Sequence, residues 1–210
     1  AVGNAFAGIP LAANGDYAGV PLLGLITPFT LLVGLLGCAM CLAAGSLWVA
    51  LKTPIESAIR ARARKLSRAL RACVVVLFLA VSAYALLGVR PEIEAAMWPV
   101  CWVFAAAFLV CVSASIYAGQ VRGNDLAAFV LQSAGAVLLV ALLAASMFPN
   151  LVVAAPGSAG VTITAANAAS SELSLAWMTG IAAIGVPLVL VYHVIVYRTF
   201  RGRLSEKDVA

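Results

Sequence analysis

Few side chains in this sequence could carry chemistry of their own. His193 is the only histidine, and an imidazole can ligate a metal or contact a cofactor. Gln132 is a strongly polar amide within an apolar stretch, where it could bond to another helix or to a bound headgroup. Cys38 and Cys41 form a C-x-x-C pair, a spacing found in metal and redox sites. These candidates lie on separate stretches of the chain.

Each candidate also has a structural interpretation. No second Cys pair accompanies Cys38 and Cys41, and a thiol in an apolar stretch packs as a small hydrophobe. A haem, copper or iron site would need more ligands than His193 supplies. We therefore predict no catalytic residue and no metal site in this chain. Gln132 and His193 remain as candidates for contact with a quinone or lipid, or as structural residues.

The composition is that of an integral membrane protein. Of the 210 residues, 64% are hydrophobic and 10% are charged, with a mean hydropathy of +1.09. Soluble domains carry roughly 25% charged residues, and no water-soluble core of this size could bury so much apolar surface. The net charge of +5 does not indicate nucleic acid binding, because the basic residues flank apolar stretches and are not interleaved with aromatic residues. We predict an all-α transmembrane bundle.

The chain reads as one transmembrane domain, 1–210, with five uncharged spans. The predicted spans are 28–51, 72–88, 97–117, 127–148 and 173–196. Residues 1–9 are too short to cross a bilayer and lack the basic start of a signal peptide, so we expect them to be the end of a preceding span. A basic loop, 52–71, and an outer loop, 149–172, connect the spans, and we expect the basic loop to be helical in part because 60–71 contains no Gly or Pro. Because no Asp, Glu, Lys or Arg lies in a predicted span, a transporter working through this chain alone is disfavoured.

The distribution of cations predicts the orientation. The segment 52–71 holds seven of the 13 Lys and Arg residues, and basic loops are retained in the cytoplasm. The resulting topology puts the C-terminus inside and a single cation, Arg90, outside. The twelve inner cations are Lys52, Arg60, Arg62, Arg64, Lys65, Arg68, Arg71, Arg122, Arg198, Arg201, Arg203 and Lys207.

A face of small residues in the first span predicts close contact with another helix. Gly37, Cys41 and Gly45 recur every four residues, and small residues let helix backbones approach closely in lipid.

Three stretches carry a more specific resemblance. They are GVPLLGLITPFTLLVGLLG at 19–37, MFPNLV at 147–152 followed by VTITAANAASSELSL at 161–175, and GVPLVLVYHVIVYRTFRGRL at 185–204. In this order and spacing the chain resembles the second half of subunit II of the cytochrome bd-type quinol oxidases. The resemblance implies that the chain matches the last five of nine transmembrane helices and the tail of the fourth.

That resemblance implies a supporting role in a bacterial respiratory enzyme of the cytoplasmic membrane. The complex would oxidise quinol, reduce O2 to water and help to build a proton gradient. Haems b and d would belong to the partner subunit I, and this chain alone would bind no cofactor. The resemblance leaves open a structurally bound quinone or lipid, a small single-helix accessory subunit, and the N-terminal helices of subunit II as a separate chain.

Two other functions stay open from the residues alone. The chain could be half of a secondary transporter, with Gly185 and Pro187 breaking a helix at a midplane site. It could also be a structural membrane protein that works without partners.

Overall fold

The computed structural model describes residues 2–20, 23–89 and 95–199. Within these ranges, five helices are long and apolar enough to cross a membrane, which confirms the all-α membrane fold. The predicted outer cation Arg90 and the basic tail from residue 200 lie outside the described residues. The helices are α1 Val2–Ala7, α2 Pro28–Lys52, α3 Ala58–Tyr84, α4 Trp98–Gln120, α5 Asp125–Met147 and α6 Glu172–Thr199, and the strands are β1 Asn150–Val152 and β2 Ile163–Thr164.

Helix α2 begins at a reciprocal cap. The backbone N–H of Thr30 donates to the Thr27 hydroxyl at 3.2 Å, and the N–H of Thr27 donates to the Thr30 hydroxyl at 2.9 Å. Pro28 occupies the first helical position, where its missing N–H leaves no intrahelical bond unmade. The cap fixes where the chain leaves the loop and enters the bundle.

Helix α3 begins well before the predicted span 72–88 and includes the part of the basic segment that was expected to be helical. The basic segment 52–71 is a loop only as far as Ser57, and its remaining residues form the first half of α3. No Gly or Pro occurs between residues 58 and 71, and the Ser57 hydroxyl caps the helix by accepting the Ile59 N–H at 3.2 Å. The other four long helices differ from the predicted spans by at most three residues at either end.

Helices α2 to α5 form the bundle core. The main pairs are α2 with α3 and α4 with α5, and α2 also contacts α5. Phe78 and Phe108 pack at the centre with their ring centroids 4.4 Å apart. The core also contains Leu36, Ala39, Met40, Val74 and Val112.

Helix α6 stands apart from that core. None of its described side chains is buried, and its ring contact with the bundle joins Tyr197 to Trp48 at 5.8 Å between centroids. The helix is continuous through Pro187. The helix break on which the transporter alternative depends is therefore not seen.

The small-residue face of α2 is also uncovered. Gly37, Cys41 and Gly45 are exposed, and a Cβ placed on either glycine would meet no described atom within 4 Å. The close helix contact predicted there is not made among the described residues.

The outer loop 149–172 is held by hydrogen bonds. Strands β1 and β2 pair antiparallel, and Ile9 bridges to Ala154. Asn167 fixes the second strand, because its Oδ1 accepts the Thr164 N–H at 2.7 Å and its Nδ2 donates to the Thr162 carbonyl at 2.9 Å. The loop therefore closes one end of the bundle together with the segment after α1.

Candidate functional site

Gln132 lies inside the bundle on the buried face of α5. It is 1% exposed, and its Nε2 donates to the Met40 sulfur on α2 at 3.3 Å. Its Oε1 is buried without a hydrogen-bond partner among the described residues. A buried acceptor of this kind is rare in folded proteins, so Gln132 is a site where a small donor could bind.

His193 lies on the exposed helix α6. Its Nδ1 is 2.8 Å from the Val189 carbonyl, a distance at which an Nδ1–H would donate. Its ring neighbours are Tyr192 and Tyr197, with centroids 5.6 and 6.4 Å away. Since Gln132 is enclosed by the bundle and α6 buries no described residue, the two candidates do not form a common site.

The basic segment contributes an ion-pair cluster that the sequence analysis missed. Arg60 donates to Asp125 Oδ2 from Nη2 at 2.5 Å and from Nε at 3.2 Å. Arg64 Nε lies 3.3 Å from Asp125 Oδ1, and Arg64 Nη2 donates to the Gly119 carbonyl. Asp125 is 3% exposed at the start of α5, so this cluster joins the start of α3 to the turn between α4 and α5.

Arg71 forms a second, fully buried group one layer deeper. Its Nη1 donates to the Ser115 carbonyl at 2.5 Å and to the Ser115 hydroxyl at 3.0 Å. Its Nε and Nη2 donate to the carbonyl and hydroxyl of Ser67 at 3.1 and 3.2 Å. The Ser115 hydroxyl donates in turn to the Ala128 carbonyl at 2.6 Å, so one guanidinium connects three helices.

These contacts correct the prediction that charges only flank the spans. Arg71 and Asp125 lie within helices α3 and α5 and are buried, although hydropathy assigned them to loops. Hydrogen bonds to hydroxyl and carbonyl groups are what make a buried guanidinium tolerable. Helical spacing could have found the cluster, since residues 60, 64, 67 and 71 share one face of a helix.

The arrangement is suited to holding helices together. Among the described residues, no group of three His, Cys, Asp or Glu side chains could hold a metal ion. The five thiols are free, and Cys38 and Cys41 are exposed on α2.

A cavity of about 250 Å³ lies at the opposite end of the bundle. Its wall includes Met147, Asn150 and Thr162, which come from the two loop motifs of the sequence analysis, and Phe6 from α1. The most distinctive stretches of the sequence therefore meet around one space.

Comparisons with known proteins point to one family. A family model described as cytochrome bd terminal oxidase subunit II matches residues 1–200. Cytochrome bd ubiquinol oxidase subunit 2 of Bacillus subtilis (strain 168) is 29% identical over 191 residues, which cover 87% of this chain and 52% of that protein. Cytochrome bd-I ubiquinol oxidase subunit 2 of Escherichia coli (strain K12) is 25% identical over 240 aligned residues, which cover 100% of this chain and 62% of that protein. The chain thus spans between half and two thirds of the length of these relatives.

Proposed function

Because the chain belongs to the family of cytochrome bd terminal oxidase subunit II, we propose that it is the non-haem supporting subunit of a bd-type respiratory quinol oxidase. In this complex quinol is oxidised, O2 is reduced to water, and a proton gradient is built. The redox chemistry takes place on haems b and d in subunit I. This chain supplies a membrane-embedded bundle against which subunit I packs.

The family match over residues 1–200 is the observation that carries the proposal. The printed names of the relatives describe subunits of ubiquinol oxidases. The hydrogen-bonded core agrees with a structural role, since its buried polar groups are engaged with one another and join α3, α4 and α5.

The described residues do not form a haem site. A haem needs an axial ligand within an enclosing pocket. His193 lies on a helix without a buried side chain, so the described residues form no enclosing pocket around its ring. Our assignment of the haems to the partner subunit rests on the family match.

We place the subunit I contact on α6 and on the exposed small-residue face of α2. In lipid, helix association depends on packing and close backbone approach, and both surfaces are free to provide them. The basic end of the bundle faces the cytoplasm of a bacterium, because cytoplasmic loops carry the excess of Lys and Arg.

Purification of the complex tests the proposal. The tagged chain, solubilised from its native membrane in mild detergent, should bring with it a larger subunit with the absorbance of haems b and d. Replacing both Gly37 and Gly45 by Leu should reduce the recovered haem per tagged chain. Replacing the buried Gly135 by Leu is a control for general misfolding, because a Cβ there already meets the Val112 side chain at 3.3 Å. A tagged complex without haem would reject the proposal.

A further inference from the structure

The cations of α3 divide into two faces. Arg60, Arg64 and Arg71 point into the bundle and bond to Asp125 or to backbone and hydroxyl groups. Arg62, Lys65 and Arg68 are exposed on the opposite side of the helix. We call these three residues the outer basic face.

Among the described residues, no carboxylate forms an ion pair with the outer basic face. The ion pairs found among the described residues both use Asp125, and both engage inward-facing arginines. The described residues at this end comprise nine cations and two carboxylates. At the other end, Asp16 and Glu172 form no ion pair with another described residue. The nine cations are Lys52, Arg60, Arg62, Arg64, Lys65, Arg68, Arg71, Arg122 and Arg198, and the two carboxylates are Glu56 and Asp125.

Two cations of the outer basic face, Lys65 and Arg68, lie at the membrane depth of the lipid phosphates. The apolar span that begins in α3 continues as helical turns through Ala85–Val89 and ends at Val89. A hydrocarbon core of about 30 Å covers about 20 helical residues, which places its other edge near residue 70. Arg68 and Lys65 then lie about 3 and 8 Å beyond that edge. The headgroup layer is about 5–8 Å thick on each side, so both cations lie within it.

Spacing along the helix also suits a phosphate. Residues three apart on a helix are neighbours, with Cβ atoms about 5–6 Å apart, so two adjacent cations can bind one phosphate together. Leu66 is exposed beside Lys65 at 54%, and about 6 Å beyond the edge it also lies within the headgroup layer.

We propose that the outer basic face binds the headgroup of an anionic phospholipid from the leaflet at the basic end of the bundle. The inward-facing arginines hold the first half of α3 rigid against the α4–α5 turn, so the outward cations are presented on a fixed helix. The lipid phosphate in turn pairs with Lys65 and Arg68, for which the described residues supply no carboxylate. The proposal rests on the placement of this chain in a membrane and does not depend on oxidase activity.

Lipid rebinding to the purified protein tests this proposal. The complex is delipidated in detergent, and binding of phosphatidylglycerol, phosphatidylcholine or inorganic phosphate is counted by native mass spectrometry. The test variant is Lys65→Gln/Arg68→Gln. The matched control is Arg122→Gln/Arg198→Gln, which removes the same charge from the same end at exposed positions.

The proposal expects a specific pattern. The unmodified protein should bind phosphatidylglycerol in preference to phosphatidylcholine. Lys65→Gln/Arg68→Gln should weaken that binding by roughly 30-fold, about fivefold per cation, while the control stays within about threefold. An unchanged elution profile shows that the variant is folded.

Three results would overturn the proposal. Equal binding of phosphatidylcholine would show that the headgroup charge is irrelevant. An equal loss in both variants would show a diffuse field without a site. Displacement of the lipid by millimolar inorganic phosphate would show a site for free anions. A complex without haem, by contrast, would reject the oxidase proposal and leave these lipid measurements valid.

Discussion

Asp125 is the carboxylate on which the basic end of the bundle depends. Two guanidinium groups, of Arg60 and Arg64, share its two oxygens at a position that is 3% exposed. Removal of one partner from a buried ion pair leaves the other charge uncompensated, whereas the pair itself contributes little net stability.

We therefore expect Asp125→Asn to lower the free energy of unfolding by about 3 kcal/mol. The measurement is thermal or denaturant unfolding of the purified protein in detergent. Glu56→Gln is the matched control, since this carboxylate is exposed at the same end and has no ion-pair partner among the described residues. Equal stability of the two variants would contradict a stabilising role for the cluster.

Substitution of Gln132 distinguishes a structural role of this residue from a role in ligand binding. Its buried Oε1 has no partner among the described residues, and such a group costs about 1–3 kcal/mol. Gln132→Leu should therefore leave the free energy of unfolding unchanged or raise it. Ser115→Ala should lower it, because that hydroxyl accepts from Arg71 and donates to the Ala128 carbonyl.

The two measurements on Gln132→Leu answer different questions. Unfolding in detergent reports on packing, and the quinol oxidase activity that we propose for the complex would report on a bound quinone or lipid. A stable variant with unchanged activity means that Gln132 binds no ligand that the enzyme needs. A loss of stability comparable to that of Ser115→Ala would contradict the prediction.

The sequence predicted single polar residues better than polar clusters. Gln132 and His193 stand out because each is the exceptional side chain in an apolar stretch. Arg60, Arg64 and Arg71 do not stand out, because a hydropathy profile ends the span before them and counts them as loop. These three arginines lie on one face because the segment that contains them is helical.

At the scale of elements, α6 is the long helix that the described part of the chain covers least. It is apolar on every side, and none of its described side chains is buried. In lipid alone, large substitutions would be tolerated all around such a helix, whereas a protein contact makes one face sensitive.

Tryptophan scanning along residues 178–190 should reveal that face. We expect haem recovered with the tagged chain to fall at positions repeating every three to four residues, with little change between them, because one side of a helix recurs with a period of about 3.6. Native gels and haem absorbance of the purified complex provide the measurement. A flat profile would place the subunit I contact elsewhere.

The ends of the helices are predictable from the sequence where a capping residue marks them. Thr27 and Pro28 at the start of α2, and Asn124 before α5, are short local signals that need no tertiary information. The start of α3 carries such a signal at Ser57, but the charged residues after it mask the helix in hydropathy. Arg60 and Arg64 are held inside the fold by ion pairs with Asp125, which follows Arg60 by 65 residues in the sequence.

At the scale of the whole molecule, the predicted family and the all-α membrane fold are confirmed. Composition and pattern were sufficient for the fold class, because unbroken apolar stretches of bilayer length satisfy their backbone as helices, whereas barrel strands alternate apolar and polar residues. The ordered outer loop was less visible, since its two short strands are held by Asn167 and by the bridge from Ile9 to Ala154. These are long-range or side-chain bonds that periodicity does not report.

The orientation of the molecule remains a prediction, and the described fold provides positions at which to test it. Glu56 is exposed between α2 and α3, and Ala159 is exposed in the outer loop, so each can carry a single cysteine with the five native thiols replaced. In intact cells a membrane-impermeant maleimide should label Ala159→Cys and leave Glu56→Cys unlabelled, because the cations beside Glu56 hold that end in the cytoplasm. Permeabilised cells, in which both positions should react, serve as the control. Labelling of Glu56→Cys in intact cells would invert the topology and move the outer basic face to the other leaflet.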